Sequence, residues 1–296
     1  MKILLTGGSG FLGSFIKKEF SEKHHFFTLS RSNSNYIVSL ENEVPVFKDK
    51  FDLVIHAAGK AHIVPKTDIE KKLFYSVNVL GTINLLKGLE KSSLPKEFVF
   101  ISSVSVYGKE FGDKINENHA LEAKDPYGLS KIEAEKIVEE WCRINNVICT
   151  ILRLPLLVGK NPPGNLGAML KAVKKGYYFN IDGGKARKSM VLIKDVTSFI
   201  FLAASTGGIY NLTDGVHPSF NELSFAISKK KSFSLPLRLA IVIGRIGDNL
   251  GRKAPLTSLK VKKITTDLCF DDSKARKMFN WKTQSVLYYI ENEGLS

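Results

Sequence analysis

The opening of the chain constrains the fold more than any other part. Lys2–Thr6 is a short apolar run that ends on Thr6-Gly7-Gly8-Ser9-Gly10-Phe11-Leu12-Gly13. A helical pattern follows at once, with Phe11, Leu12, Phe15, Ile16 and Phe20 on or near one face of a helix reaching His24. Gly7, Gly10 and Gly13 form G-x-x-G-x-x-G between a strand and a helix. The first glycine permits a tight turn, the second lets a pyrophosphate reach the backbone, and the third lets helix and strand pack closely. The helix N-terminus then turns free N–H groups and a positive dipole end toward the phosphates. The segment reads as a dinucleotide loop, with Gly7, Ser9, Gly10, Phe11, Leu12 and Gly13 as cofactor-binding candidates. A purely structural turn is the competing reading.

The second strand, Phe26–Leu29, runs into Ser30-Arg31-Ser32. An acidic residue there would hold an adenosine ribose 2′-OH and favour NAD, whereas an Arg accommodates a 2′-phosphate. Ser30 and Arg31 therefore point to NADP(H), with NAD(H) still open if Arg31 merely stacks on adenine. Further apolar runs at Asp52–His56, Glu97–Ile101 and Val147–Leu152 alternate with helical stretches. One such stretch spans Glu70–Lys91, with Leu73, Val77, Leu80, Leu85 and Leu89 on or near one face, and another spans Tyr127–Asn145. Near-continuous apolar strands between helices predict a parallel sheet covered on both faces.

After residue 155 the pattern is less regular. Helices are expected over Asn165–Lys175, Asp195–Ala204, Leu237–Leu250 and Ser273–Phe279, with a strand at Met190–Ile193. A capping box, Ser219-Phe220-Asn221-Glu222, should open one more helix. The expected organisation is a nucleotide-binding domain over 1–155 and a smaller lobe over 156–296, with segments free to interleave.

Tyr127-Gly128-Leu129-Ser130-Lys131 is Y-x-x-x-K. On a helix the two lie on one face. A phenol titrates near pH ~10, too high for neutral proton transfer, and a neighbouring ammonium favours the phenolate. Lys131 can also hold the nicotinamide ribose. Ser103 closes the fourth strand, at the sheet edge where ligands bind in parallel sheets, and can hydrogen-bond a reacting hydroxyl or carbonyl. Taken alone, Y-x-x-x-K is often just a helix surface pair.

With these pieces in order, the chain resembles an extended short-chain dehydrogenase/reductase of the NAD-dependent epimerase/dehydratase family. The matching segments are Thr6–Gly13, H-A-A-G at His56–Gly59, V-N-V-L-G-T at Val77–Thr82 and I-S-S-V-S-V-Y-G at Ile101–Gly108. D-P-Y-G-L-S-K at Asp125–Lys131 and R-L-P-L-L-V-G at Arg153–Gly159 complete the set. The resemblance implies an α/β fold: a Rossmann-type doubly wound parallel sheet with a smaller C-terminal α/β substrate lobe. It implies Ser103, Tyr127 and Lys131 as the catalytic triad, with Ala57, Ala58, Asn78, Ser102 and Pro155 lining the cofactor site. It implies a nucleotide-diphosphate sugar as substrate, a UDP-sugar above all, and a homodimer. Arg187-Lys188-Ser189-Met190-Val191, followed by Lys194-Asp195-Val196, resembles the family's arginine–strand–aspartate segment. By spacing, Lys188 takes the phosphate-binding Arg position, and Arg187 stands just before it. Lys lacks bidentate geometry, so either one is a candidate. Asn165, at a helix start, and His62, after the third strand, are further substrate-side candidates. No metal is expected.

The resemblance also narrows the reaction. Sugar 4,6-dehydratases of the family carry an Asp-Glu pair directly after the catalytic Ser/Thr; here those positions are Val104 and Ser105. Hydride chemistry at sugar C4 remains. Arg31, and a short stretch to Asp52 lacking the acidic adenine-side residues of NAD-bound epimerases, favour NADPH-dependent reduction of a UDP-4-keto-6-deoxy-N-acetylhexosamine for surface polysaccharides. A UDP-N-acetylglucosamine or UDP-glucose 4-epimerase with bound NAD is the alternative.

Lys and Arg number 43 against 29 Asp and Glu, a net charge of +14. That excess favours an anionic partner. It also raises a reading from another class, a catalytically silent NADP-sensing or RNA-binding member, although an intact triad argues against it and nucleic acid is not the expected partner. Cys142, Cys149 and Cys269 form no C-x-x-C and read as free thiols. Glycines and charges break the N-terminal apolar run, and Leu235–Gly247 is too short to span a bilayer. The expected location is cytoplasmic. Leu237–Leu250 is also basic and apolar enough to allow contact with a membrane surface.

Overall fold

The structure, a computed structural model, describes residues 1–61, 65–250, 254 and 256–295. Its strands are β1 (Lys2–Thr6), β2 (His25–Ser30), β3 (Tyr36–Ile37), β4 (Leu53–His56), β5 (Glu97–Ser103), β6 (Gly112–Ile115) and β7 (Ile148–Leu154). They continue as β8 (Leu156–Val158), β9 (Phe179–Ile181), β10 (Met190–Leu192), β11 (Gly208–Asn211), β12 (Phe233–Leu235) and β13 (Leu268–Phe270). The helices are α1 (Phe11–Phe20), α2 (Asp68–Tyr75), α3 (Gly81–Ser92), α4 (Pro126–Ile144), α5 (Gly164–Lys174) and α6 (Ile193–Ala203). Then come α7 (Phe220–Ser228), α8 (Leu237–Leu250), α9 (Ser258–Thr265), α10 (Ser273–Phe279) and α11 (Val286–Asn292).

The central strands are apolar at consecutive positions because alternate side chains leave opposite faces and both faces are covered. Ile3, Leu5, Ile55, Val99 and Leu152 meet Ile16 of α1 and Val196, Phe199 and Ile200 of α6 on one face. Leu4, Val54, Phe98, Phe100 and Ile151 meet Leu85 and Leu89 of α3 and Val138 and Trp141 of α4 on the other. The strands form one parallel sheet in the order β11-β7-β5-β4-β1-β2-β3. The chain moves outward from β1 through β3, then returns beside β1 as β4. That reversal opens a crevice at the strand C-termini, where open α/β sheets bind ligands.

The chain re-enters this sheet late. β11 pairs with β7, and the α6 side chains pack in the same core as α1. Residues 193–211 thus complete the nucleotide-binding layer rather than the second lobe. Gly208-Ile209-Tyr210-Asn211 is too short and too close to Gly207 to read as a strand. The lobe itself rests on a separate core of Val158, Leu170, Met190, Leu192, Leu223 and Ile290. Two parallel strand pairs, β8–β10 and β9–β12, belong to it, and a third, β6–β13, ties the chain's last quarter to the segment after β5.

The helix expected over Glu70–Lys91 is α2, a π turn at Ser76–Leu80, and α3. The extra residue of the π turn shifts the buried face. Phe74 and Val79 are buried, while Leu73 and Leu80 are exposed. Their apolar spacing predicted the opposite, because it assumed an unbroken 3.6-residue period.

Candidate active site

Gly7 has φ +72, and a Cβ there would lie 2.7 Å from the Ala57 carbonyl carbon. The glycine loop after β1 is therefore seated directly on the loop after β4. A Cβ on Gly13 would lie 2.2 Å from the Gly7 carbonyl oxygen. Gly13→Ala is expected to cost roughly 1–3 kcal/mol of stability, because backbone rather than a flexible side chain must move. The same change should weaken dinucleotide binding; denaturant midpoints and a fluorescence titration check both effects. Gly10 differs: a Cβ there would meet only Gly7 O, at 3.2 Å, with open space beyond. It is the N-cap of α1 and supplies no side-chain cap, so first-turn N–H groups face the crevice. This cradle fits a dinucleotide pyrophosphate. Leu12 contributes only its backbone, since its side chain lies in the core. Phe11 is half-buried against that core, and Ser9 is exposed.

A directed chain of hydrogen bonds holds the two loops. Ala58 N–H donates to Thr6 Oγ1 at 3.1 Å, and Thr6 Oγ1 lies 2.6 Å from His56 Nδ1. His56 Nε2 lies 2.9 Å from Thr82 Oγ1, whose hydroxyl donates to the Asn78 carbonyl at 2.6 Å. Those directions assign the imidazole proton to Nε2. Burial, with the Lys131 charge second, pushes His56 down to about 3, so it stays neutral. Asn78, carried by the π turn, accepts from Lys60 N at 2.6 Å and donates to the Lys60 carbonyl at 3.1 Å and to Ser130 Oγ at 2.9 Å. It ties the loop after β4 to α4.

That tie fixes the triad. Asp125 caps α4, accepting from the N–H groups of Tyr127 and Gly128 at 3.1 and 3.0 Å, and Pro126 sits at N1. Tyr127 and Lys131 share a face, and the Tyr127 phenol is turned toward Ser103 at the end of β5, whose hydroxyl donates to Ser105 Oγ at 3.1 Å. Burial raises the Tyr127 phenol above its ordinary value; the Ser103 hydroxyl lowers it and the Asp125 charge raises it. The expected lowering by Lys131 is not among these effects. The Lys131 ammonium instead donates to the Ile101 carbonyl at 2.8 Å and lies 4.6 Å from the Phe100 ring centroid. Burial pushes Lys131 down to about 8, opposed by the Glu135 charge.

Ser102 is not a crevice side chain. Its hydroxyl is donated to Glu135, one turn beyond Lys131. Glu135 is paired with Arg153 at 2.7 Å, and both are almost fully buried. Arg153 Nη1 also donates to Tyr107 Oη at 3.1 Å, and Tyr107 donates to Asn211 Oδ1 at 2.8 Å. This network under the triad is absent from the sequence reading, although Arg153 lies in a matched segment and Glu135 continues the Tyr127–Lys131 face.

The remaining candidates lie apart from the triad's own contacts. Ser30 Oγ closes a turn onto the Ser32 carbonyl. The Arg31 side chain is 78% exposed, and its Nη1 lies 3.8 Å from Glu41. Arg187 donates from Nε to the His217 carbonyl at 3.2 Å and from Nη2 to the Val216 carbonyl at 3.1 Å. Lys188 Nζ donates to the Thr266 carbonyl at 2.9 Å. Both cations thus begin by satisfying backbone oxygens. Asn165 is exposed in the first turn of α5, and Pro155 is half-buried between β7 and β8. His62 lies outside the described residues. The cysteines are free.

A family model for the NAD dependent epimerase/dehydratase family matches residues 3–213, which hold the glycine cradle, the π turn and the triad. The chain belongs to that family. It is an enzyme of an NAD(P)-binding fold, which sets aside the non-catalytic reading. The N-acetyl-alpha-D-glucosaminyl-diphospho-ditrans,octacis-undecaprenol 4-epimerase of Escherichia coli O157:H7 is 28% identical, covering 92% of this chain and 88% of its own. The UDP-glucose 4-epimerase of Vibrio cholerae is also 28% identical, over 96% and 92%. Among solved structures, the UDP-glucose 4-epimerase of Thermotoga maritima with UDP-glucose superposes with a TM-score of 0.76 at 21% identity, covering 100% of this chain and 97% of that one. The epimerase/dehydratase fold is therefore continuous over both lobes.

Proposed function

We propose that this enzyme transfers a hydride at C4 of a sugar carried on a diphosphate, and that it does so as a 4-epimerase with a retained dinucleotide. The observation that carries the hydride chemistry is the Tyr127 phenol turned toward Ser103, with the Lys131 ammonium one turn away against the end of β5. Ser103 orients the C4 oxygen. Tyr127 takes the 4-hydroxyl proton on its phenolic oxygen as the C–H bond breaks, and returns it when the 4-keto sugar is reduced from the other face. Lys131 supplies positive charge to the phenolate and holds the ribose. The nicotinamide, when bound, accepts and returns the hydride; Gly7, Gly10, the first turn of α1, Ala58 and Asn78 would hold its dinucleotide.

Two 4-epimerases aligned over more than nine-tenths of the chain favour epimerisation. The reductase expectation rested on Arg31 and on a short stretch to Asp52 lacking the acidic adenine-side residues of NAD-bound epimerases. Glu41, in that stretch, lies 3.8 Å from the exposed Arg31 and weakens the second support. Arg31 itself still favours NADPH-dependent 4-keto reduction, the second reading. Because one relative's substrate is linked through diphosphate to undecaprenol, the proposed substrate class is a sugar diphosphate whose far end is a nucleoside or a polyprenol. Leu73 of α2 and Leu129 of α4 are exposed, and we place a second copy against these helices.

Denaturing the purified protein and identifying the released dinucleotide tests the assignment. Stoichiometric NAD, with interconversion of C4 epimers and no net cofactor consumption, is expected. Empty protein that oxidises NADPH with a 4-keto sugar nucleotide overturns it in favour of reduction. Arg31→Asp should then weaken NADPH relative to NADH by about tenfold. An unchanged preference in a side-by-side titration would mean that Arg31 does not read the 2′ position.

A further inference from the structure

Helix α8 is turned inside out for a helix on a globular surface. Its buried residues are Ala240, Gly244 and Gly247. They form a seam against the segment leading into α9: a Cβ on Gly247 would lie 1.9 Å from Leu256 O, and one on Gly244 3.1 Å from Ser258 N. Most of the large apolar residues point the other way, while Leu237 packs inward and Ile241 lies off their stripe. Leu239, Val242, Ile243, Ile246 and Leu250 are 38% to 67% exposed. Their spacing places them on one stripe about 100° wide. Burial of small residues and exposure of large ones is the reverse of what a water-facing helix does, so this stripe is built for something other than water.

The charges frame the stripe asymmetrically. Arg238 and Arg245, seven residues apart, are exposed along one flank. The single acid of the helix, Asp248, is exposed but lies away from the stripe, its carboxylate accepting from Ser258 N–H at 3.0 Å. Just before β12 lies the exposed run Lys229-Lys230-Lys231, in which Lys229 Nζ lies 3.4 Å from the Glu291 carboxylate. Phe233 of β12 is 69% exposed and pairs in register with Phe179, also exposed. A second copy docked here about a two-fold axis would set these cations against their own equivalents. An anionic bilayer surface would instead take the apolar stripe among its acyl chains and the Arg and Lys heads among its phosphates. The helix, 14 residues long, is too short to cross a membrane and suited to lying on one.

We propose that the outer face of α8, with Phe233 and the Lys229–Lys231 run, docks this enzyme on an anionic lipid surface. The same hairpin leads to the substrate lobe, because α9 is followed by Thr266, whose carbonyl holds Lys188. Docking would therefore bring a membrane-borne sugar diphosphate to the enzyme. That consequence rests on the sugar-diphosphate reading above; the docking itself does not.

The test is co-sedimentation of the full chain with vesicles of phosphatidylcholine containing about 30 mol % phosphatidylglycerol, against phosphatidylcholine alone. Preferential binding to the anionic vesicles, weakened by salt, is expected. Ile243→Glu/Ile246→Glu and Arg238→Glu/Arg245→Glu should each cut the bound fraction about tenfold or more, with melting temperature and turnover of a soluble UDP-sugar unchanged. Ile246→Leu, which keeps the stripe, should bind as the wild type does. No binding to anionic vesicles by folded wild-type protein overturns the proposal. So does a wild-type dimer that the Glu variants convert to monomer, which assigns the stripe to a second copy. Vesicle binding without turnover of a polyprenyl-diphosphate sugar leaves the docking face standing and removes only the polyprenol from the substrate class.

Discussion

Tyr127→Phe is expected to lower kcat by about 10²–10⁴-fold while leaving dinucleotide binding within a factor of about two. The ring stays, so its packing about 6.0 Å from the Phe74 ring is kept; what goes is the oxygen proposed to carry the proton. Steady-state rates beside a dinucleotide titration separate the two effects. A variant of wild-type rate would remove Tyr127 from the chemistry. The pH profile gives an independent reading. Lys131 sits near about 8 in the folded protein against 10.5 unfolded. Activity should therefore decline as pH rises through about 8, when the Lys131 ammonium, held on the Ile101 carbonyl, loses the charge proposed to support the phenolate. Stability should move the other way over that window. The folded state releases this proton before the unfolded chain does, so on this account folding is favoured between about 8 and 10.5. Loss of rate at alkaline pH with the fold intact is thus the expected signature, read by activity and circular dichroism on the same samples.

Arg153→Met should be the most damaging single change to the fold, at about 3–5 kcal/mol. Met matches the volume, but Glu135 would keep a charge in a site where its side chain is 1% exposed, with its 2.7 Å partner gone. Tyr107 would lose its donor as well. The double variant Arg153→Met/Glu135→Gln should recover most of the loss, because it removes the stranded charge. Urea titration of the three proteins gives the coupling directly. Equal losses in single and double variants would mean that the pair is not what holds α4 against β7.

The parallel sheet and the glycine cradle were legible because each is local; Y-x-x-x-K is local too, but the roles of Ser103, Tyr127 and Lys131 came from the family resemblance. Apolar runs at strand length, glycines at fixed offsets, and a Tyr four residues before a Lys all declare themselves within a dozen positions. The π turn was not legible. Ser76–Val79 are weak helix formers, but weak propensity does not announce an extra residue; Asn78 there is held by Lys60 and Ser130, partners 18 and 52 positions away. The resemblance implies Ser102 at the cofactor, and only packing reveals that its hydroxyl is turned to Glu135 instead. Arg187 and Lys188 were read as phosphate ligands from spacing, while the fold first gives them the carbonyls of Val216, His217 and Thr266.

Periodicity and short-range geometry in the sequence were enough for the layers, the glycine loop and the placing of Tyr127 and Lys131 on one helix face. Tertiary structure alone decided three other things. It returned residues 193–211 to the main sheet, placed Glu41 beside Arg31, and turned the large apolar residues of α8 outward. Each of these depends on which surfaces meet across long stretches of chain, and hydrophobic patterning tells only that a face wants cover, not what covers it.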